Sequence, residues 1–178
     1  MLGGQIVVID ASVLINFLHV DRIDVLRRIP DSEWIVTDHV RDEVRDGVET
    51  QVSRYESALA AGSLRETRVD QLGELKTFAD LLGLGLGRGE SATLAVAIHR
   101  KWIAALDDRT AIKKARRSQP MIQTVRTEDI VRAAIVAGAL TVEEADVMKA
   151  DWETEYRFRL RFRSFEEILQ SDDRSEAT

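Results

Sequence analysis

The 178-residue chain has no cysteine, which excludes disulfide frameworks, thiolate metal sites and cysteine nucleophiles. Its only histidines are His19, His39 and His99; none pairs with another at metal spacing, so a histidine-rich zinc site has little to draw on. No apolar run reaches the roughly 18 residues of a membrane span. The start, Met-Leu-Gly-Gly-Gln, lacks the basic opening and long apolar stretch of a signal peptide. These absences together lead to the expectation of a cytoplasmic protein with no membrane contact. A P-loop Gly-Lys-Ser/Thr is missing. Gly83, Gly85, Gly87 and Gly89 alternate without the spacing of a dinucleotide fingerprint, after a helix rather than a strand. Excess positive charge is missing too: 25 Lys and Arg against 31 Asp and Glu leave a net charge of -6. That balance argues against coating nucleic acid by simple charge neutralisation, unless the acids have a special place.

What is present is enough apolar residue to build a core: 44% hydrophobic against 31% charged. Gln5 to Ile9 is a β-branched run suited to a strand buried on both faces. Trp34–Thr37, 63–69, Trp102–Leu106 and Met121–Val125 read as four further strands. Between them lie segments of helical spacing: 11–18, 21–29 (stopped by Pro30), 38–46, 50–61, 70–82, 90–100, 109–118 and 127–138. The last has Thr127 as its N-cap, with Glu128 and Asp129 in its first turn. Thr141 and Glu144 form a capping-box pattern for one more helix. Strands alternating with helices imply an α/β layer with a parallel central sheet, in which sites gather at the carboxyl ends of the strands.

Acids stand at those ends. Asp10 follows the first strand, Glu43 lies one turn inside the helix after the second, Glu90 opens an alanine-rich helix, and Asp107 and Asp108 follow the fourth strand. Carboxylates gathered in one place repel and need a cation. Hard oxygen ligands select Mg²⁺ or Mn²⁺, and the chemistry that follows is metal-assisted hydrolysis. Four of these acids also have a bland role: Asp10, Asp107 or Asp108 as a helix cap, Glu43 as a solvated surface residue.

Four segments resemble the motifs of the PIN-domain nucleases: Asp10-Ala-Ser-Val-Leu-Ile-Asn16-Phe-Leu, Thr37-Asp-His-Val-Arg-Asp-Glu43-Val, Gly87-Arg-Gly-Glu90-Ser-Ala92 and Leu106-Asp107-Asp108-Arg109. The likeness spans roughly residues 5–138. It implies a three-layer α/β/α fold with a central parallel five-stranded sheet, and a Mg²⁺- or Mn²⁺-dependent endoribonuclease with Asp10, Glu43, Glu90 and one of Asp107 and Asp108 as ligands. Ser12 would support the site by hydrogen bonding. It further implies a toxin-like component related to the VapC proteins, held by an antitoxin and acting as a homodimer on RNA. The third acid is Glu where many such toxins have Asp. Leu106 stands where the fourth motif usually has Thr, which leaves open whether Asp107 or Asp108 faces the metal.

The helix 109–118 has no acid. Arg109, Lys113, Lys114 and Arg117 are therefore expected to touch RNA phosphates beside the acidic pocket. The segment 156–163, Tyr-Arg-Phe-Arg-Leu-Arg-Phe-Arg, alternates apolar and basic residues at strand period; it reads as an edge strand or a partner contact. The organisation expected is a nuclease domain over 1–150, an extension over 151–170 and a disordered acidic tail over 171–178. Two other classes compete: a non-catalytic interaction module that keeps the fold, and a receiver-like phosphoacceptor domain, whose Asp after the third strand and Lys after the fifth are not evident.

Overall fold

The computed structural model describes residues 2–175, with side chains through 170. Its strands are β1 (Ile6–Ile9), β2 (Glu33–Thr37), β3 (Arg65–Thr67), β4 (Ile103–Ala105) and β5 (Thr124–Val125). They form one sheet in the order β3-β2-β1-β4-β5, and every neighbouring pair is parallel. The helices are α1 (Ala11–His19), α2 (Asp24–Arg28), α3 (Asp38–Arg45), α4 (Glu49–Ala60), α5 (Leu72–Gly83), α6 (Arg88–Arg100), α7 (Arg109–Ser118), α8 (Thr127–Val136), α9 (Val142–Glu155) and α10 (Phe165–Ser175). None of them is long and apolar enough to cross a membrane. This is the α/β fold that the alternating pattern predicts, with the five-stranded parallel sheet that the resemblance implies.

The central strands are apolar on both faces because both faces are covered. Val7, Ile9, Trp34, Val36, Ile103 and Ala105 enter one core with α1, α2, α3, α4, α8, α9 and α10. Their alternating neighbours Val8, Ile35, Ala104 and Leu106 enter a second core with α5, α6 and α7. Each large side chain buried there contributes roughly 1.5–3 kcal/mol of transfer energy. Strand order reverses between β1 and β4, so the crevice at their carboxyl ends is the switch point where such sheets place ligands.

The segment after α9 departs from expectation. Residues 157–164 form neither strand nor helix. The chain turns instead: Tyr156 and Phe158 both donate backbone N–H to Trp152 O, and Arg157 takes a positive φ of 57°. The alternation still sorts side chains inward and outward. Leu160 is buried, and Phe158 meets Trp152 edge-on at 5.6 Å, as Phe162 meets Phe165 at 4.9 Å. The apolar members thus serve this chain's own core. Trp152 also donates Nε1–H to Asn16 O at 2.7 Å and meets Phe17 edge-on at 6.0 Å, so the segment beyond residue 150 braces α1. Helix α10 covers the start of the stretch expected to fray, and 176–178 lie outside the described residues.

Candidate metal centre

Asp10 is the N-cap of α1, its backbone still extended. Its Oδ2 accepts from Ser12 N at 3.2 Å and from Ser12 Oγ at 2.7 Å, the two bonds that make an aspartate a good cap. Only 4% of the residue is exposed, and its second oxygen, Oδ1, is buried with no partner. Burial pushes the carboxyl from 3.8 up to about 6; the Ser12 bonds pull it down, and the charges of Glu90 and Glu43 push it up again. One oxygen therefore serves the helix while the other is left bare among like charges. A buried acceptor without a partner costs about 1–3 kcal/mol unless something meets it.

Glu43 reaches this place because Thr37 caps α3, its hydroxyl accepting from Val40 N at 3.3 Å. Val40 and Val44 face the core, leaving Glu43 on an outer face. Its Oε1 accepts from Gly89 N at 2.8 Å. A Cβ at Gly89 would lie 2.7 Å from Glu43 Oε2, so a side chain there would push the Glu43 carboxylate out of its present position. Glu90, one residue on, accepts from Gly87 N at 2.9 Å through Oε2 and closes the start of α6. Gly85, at φ 77°, makes the turn that delivers this segment.

Asp107 and Asp108 take separate roles. Asp108 caps α7, its Oδ1 accepting from Thr110 N at 2.6 Å and Ala111 N at 2.9 Å. Asp107 faces α1 and α8: Oδ1 accepts from Thr127 N at 2.9 Å, and Oδ2 accepts from Thr127 Oγ1 at 2.6 Å and Asn16 Nδ2 at 3.0 Å. Burial raises the Asp107 carboxyl; the Thr127 bonds and the Arg126 charge act against it. Thr127 is thus the first residue of α8, not its cap. Arg126 holds the cap position, its N–H donating to Asp129 Oδ2 at 2.9 Å, because the Thr127 hydroxyl is committed to Asp107. Asn16 and Thr127 are functional candidates the sequence left without a site role. Their signal was spatial, 91 and 20 residues from Asp107.

Among the described residues, no three His, Cys, Asp or Glu side chains stand close enough to enclose an ion. Asp10, Glu43 and Glu90 share one electrostatic neighbourhood; Asp107 is joined by Asn16 to α1, the helix that Asp10 caps. The donor set still fits a hard divalent cation: all oxygens, with the bare Oδ1 of Asp10 at its buried end.

Of the basic residues expected to touch RNA, Arg109, Lys113 and Arg117 line an open groove beside α7. Lys114 does not: its Nζ donates to Leu84 O at 2.7 Å and ties α7 to the turn before Glu90. Arg116 of the same basic helix lines the groove as well, and so does Arg126, which the sequence pattern alone did not single out.

No curated protein matches the chain. The PIN domain endonuclease Utp24 matches with 19% identity over 71% of this chain and 88% of its own, at a TM-score of 0.46. PAE2754 from Pyrobaculum aerophilum matches with 15% identity over 74% of this chain and 90% of its own, at a TM-score of 0.51, a likeness of fold. The family model DUF3368, described as a PIN domain, matches residues 6–173, from the first strand through the last helix. By that match over nearly its whole length, the chain belongs to the PIN-domain family.

Proposed function

We propose that the protein is a divalent-metal-dependent endoribonuclease whose Mg²⁺ or Mn²⁺ is held by Asp10, Glu43 and Glu90, with Asp107 completing the set. The observation that carries this is Asp10: a buried carboxylate at the switch point with one bare oxygen and two acids for neighbours. Structural carboxylates do not have that surround; they face cations or donors. A bound cation would activate water and stabilise charge on a phosphate oxygen.

The chain's own residues then have definite tasks. Ser12 fixes the Asp10 rotamer through its two bonds. Gly89 N–H orients Glu43, and Gly87 N–H orients Glu90. Asn16 and Thr127 hold Asp107, a second layer of bonds of the kind that orients metal ligands. Asp108 caps α7 through Oδ1, whereas Asp107 is bonded to Asn16 of α1, the helix that Asp10 caps; that link supports Asp107 as the ligand of the fourth motif. Under the same reading the protein is the toxin component of a toxin–antitoxin pair, with a cognate antitoxin and a homodimeric state; this part rests on the family resemblance.

The decisive experiment substitutes Asp10→Asn, which keeps a capping side chain but removes the charge. Cleavage of RNA with Mn²⁺ should fall by about a thousandfold or more, and Mn²⁺ binding followed by calorimetry should weaken in parallel, with the fold intact by circular dichroism. Undiminished cleavage by the variant would sink the assignment. The absence of a closed three-carboxylate cluster among the described residues favours one rival, an interaction module without catalysis. Wild-type protein that neither binds Mn²⁺ nor cuts RNA would establish it.

A further inference from the structure

Helix α7 carries five basic residues and no acid between Arg109 and Ser118. Ala111, Ile112 and Ala115 are buried against the sheet, and Lys114 is taken up by Leu84 O. Arg109, Lys113, Arg116 and Arg117 are left on one side of the helix. With Ile112, with Thr124 of β5 and with Arg126 and Asp129 at the head of α8, they line an open groove of about 630 Å³. It runs along the β5 edge of the sheet.

Several basic residues of the chain stand without an ion pair; four of them come together in this groove. Arg22, Arg28, Arg41, Arg54, Arg65 and Arg100 each meet a carboxylate. Among the described residues, Arg109, Lys113, Arg116 and Arg117 meet none; Arg116 has only the Thr124 hydroxyl, at 2.8 Å. The one acid in the lining, Asp129, is bound to Arg126 N. On a chain of net charge -6, four cations left unneutralised along one cleft mark a place for an anion. Guanidinium forks fit phosphate oxygens. Among the described residues no aromatic ring and no carboxamide lines the groove, so neither base stacking nor amide readout of base edges is on offer. At its inner end Arg126 acts electrostatically on Asp107, which joins the groove to the acid crevice.

We infer that the groove between α7 and the β5–α8 corner is a sequence-independent track for the phosphate backbone of the RNA strand, with Arg116 and Arg117 as phosphate contacts and Lys114 outside it. The identity of the polyanion as RNA rests on the nuclease reading above; the groove itself does not.

The test is anisotropy of labelled single-stranded RNA binding to the full chain in EDTA, over a series of salt concentrations. Two RNAs of unrelated sequence are compared. Arg116→Ala with Arg117→Ala should weaken both by the same factor, roughly tenfold, and lower the salt slope by about 0.7 for each phosphate no longer neutralised. Arg27→Ala with Arg65→Ala changes net charge equally, away from the groove, and should leave the slope nearly unchanged. The inference is overturned if the groove pair binds no worse than this control, if only one RNA is affected, or if an acidic peptide displaces RNA from the wild type but no longer binds the groove pair. The nuclease reading fails separately: RNA bound with the expected slope but never cut in Mn²⁺ removes it and leaves the groove standing. RNA cut normally by the groove pair, with unaltered affinity, does the reverse.

Discussion

Two buried carboxylates stand in opposite surroundings. Glu74, on α5, is fully buried, and both of its oxygens are met. Arg100 Nε donates to Oε1 at 2.6 Å and Nη2 to Oε2 at 3.1 Å, while the backbone N–H groups of Asp70 and Gln71 also reach Oε2. Burial works to raise its carboxyl, but the Arg100 bonds and the backbone donors outweigh it and hold Glu74 below its ordinary value. Asp10 is nearly as buried, yet has one bare oxygen, acids for neighbours and a carboxyl pushed up to about 6. The same chemical group is neutralised in one place and left short of a counter-charge in the other. The first serves the fold; the second is the place the proposed function gives to a cation.

If that contrast is right, the two residues respond oppositely to loss of charge. Arg100→Met strands a buried carboxylate and should destabilise the protein by about 3–5 kcal/mol, visible as a lowered urea midpoint at pH 7. It also frees the Thr67 hydroxyl and Arg68 carbonyl that Arg100 binds. RNA cleavage per folded molecule should change little. A loss of cleavage without loss of stability would erase the distinction.

Asp10 should show the reverse sign, and its pH dependence gives the measure. Its folded pKa of about 6 lies above the ordinary 3.8, so the unfolded chain releases this proton first as pH rises. Between about 4 and 6 the folded state binds more protons, and the metal-free protein loses stability across that window, about 3 kcal/mol in all. Asp107 and Glu128 are also raised, each chiefly by burial, so the Asp10 share is isolated by comparison with Asp10→Asn. In EDTA the stability gap between variant and wild type should grow in the variant's favour from pH 4 to pH 7. Mn²⁺ should close it by stabilising the wild type alone. A gap independent of pH would mean that Asp10 has another neutralising partner.

How much of this contrast was legible in the sequence differs between its halves. The acids of the crevice announced themselves because each follows a strand or opens a helix, and the order Asp10, Glu43, Glu90, Asp107 is local information. The strands and helices were legible for the same reason: β-branched runs and capping residues act within a few positions. Pairing across the chain was not. Nothing near Glu74 in the sequence points to Arg100, and nothing near Asp107 points to Asn16. The division of labour between Asp107 and Asp108 likewise needed the orientation of two adjacent side chains. Helix α10 was missed although Ser164 and Glu167 have capping-box spacing, with Ser164 Oγ accepting from Glu166 N and Glu167 Oε2 from Arg163 N. The arginine alternation just before it drew the reading toward a strand. Period-two alternation reports which side chains face inward, and a chain can meet that demand without pairing into a sheet.

The finest test moves an acid of the crevice without removing it. At Gly89, an added Cβ would fall 2.7 Å from Glu43 Oε2 and 2.8 Å from Oε1. Glu43 is an exposed, flexible side chain, so it can swing aside and the helices need not part. Gly89→Ala therefore exchanges a modest gain in helix propensity for loss of the N–H bond that orients Glu43. Stability should stay within about 1 kcal/mol of wild type, while cleavage and Mn²⁺ affinity fall roughly 10- to 100-fold, the usual effect of losing a group that positions a metal ligand. Glu43→Gln combined with Gly89→Ala should then be no worse than Glu43→Gln alone, because the glycine acts only through Glu43. If instead the two losses multiply, Gly89 has a role of its own, such as close approach of substrate to the α6 backbone. If Gly89→Ala leaves cleavage and Mn²⁺ affinity untouched, Glu43 is not held for a metal, and the crevice reduces to Asp10 and Glu90.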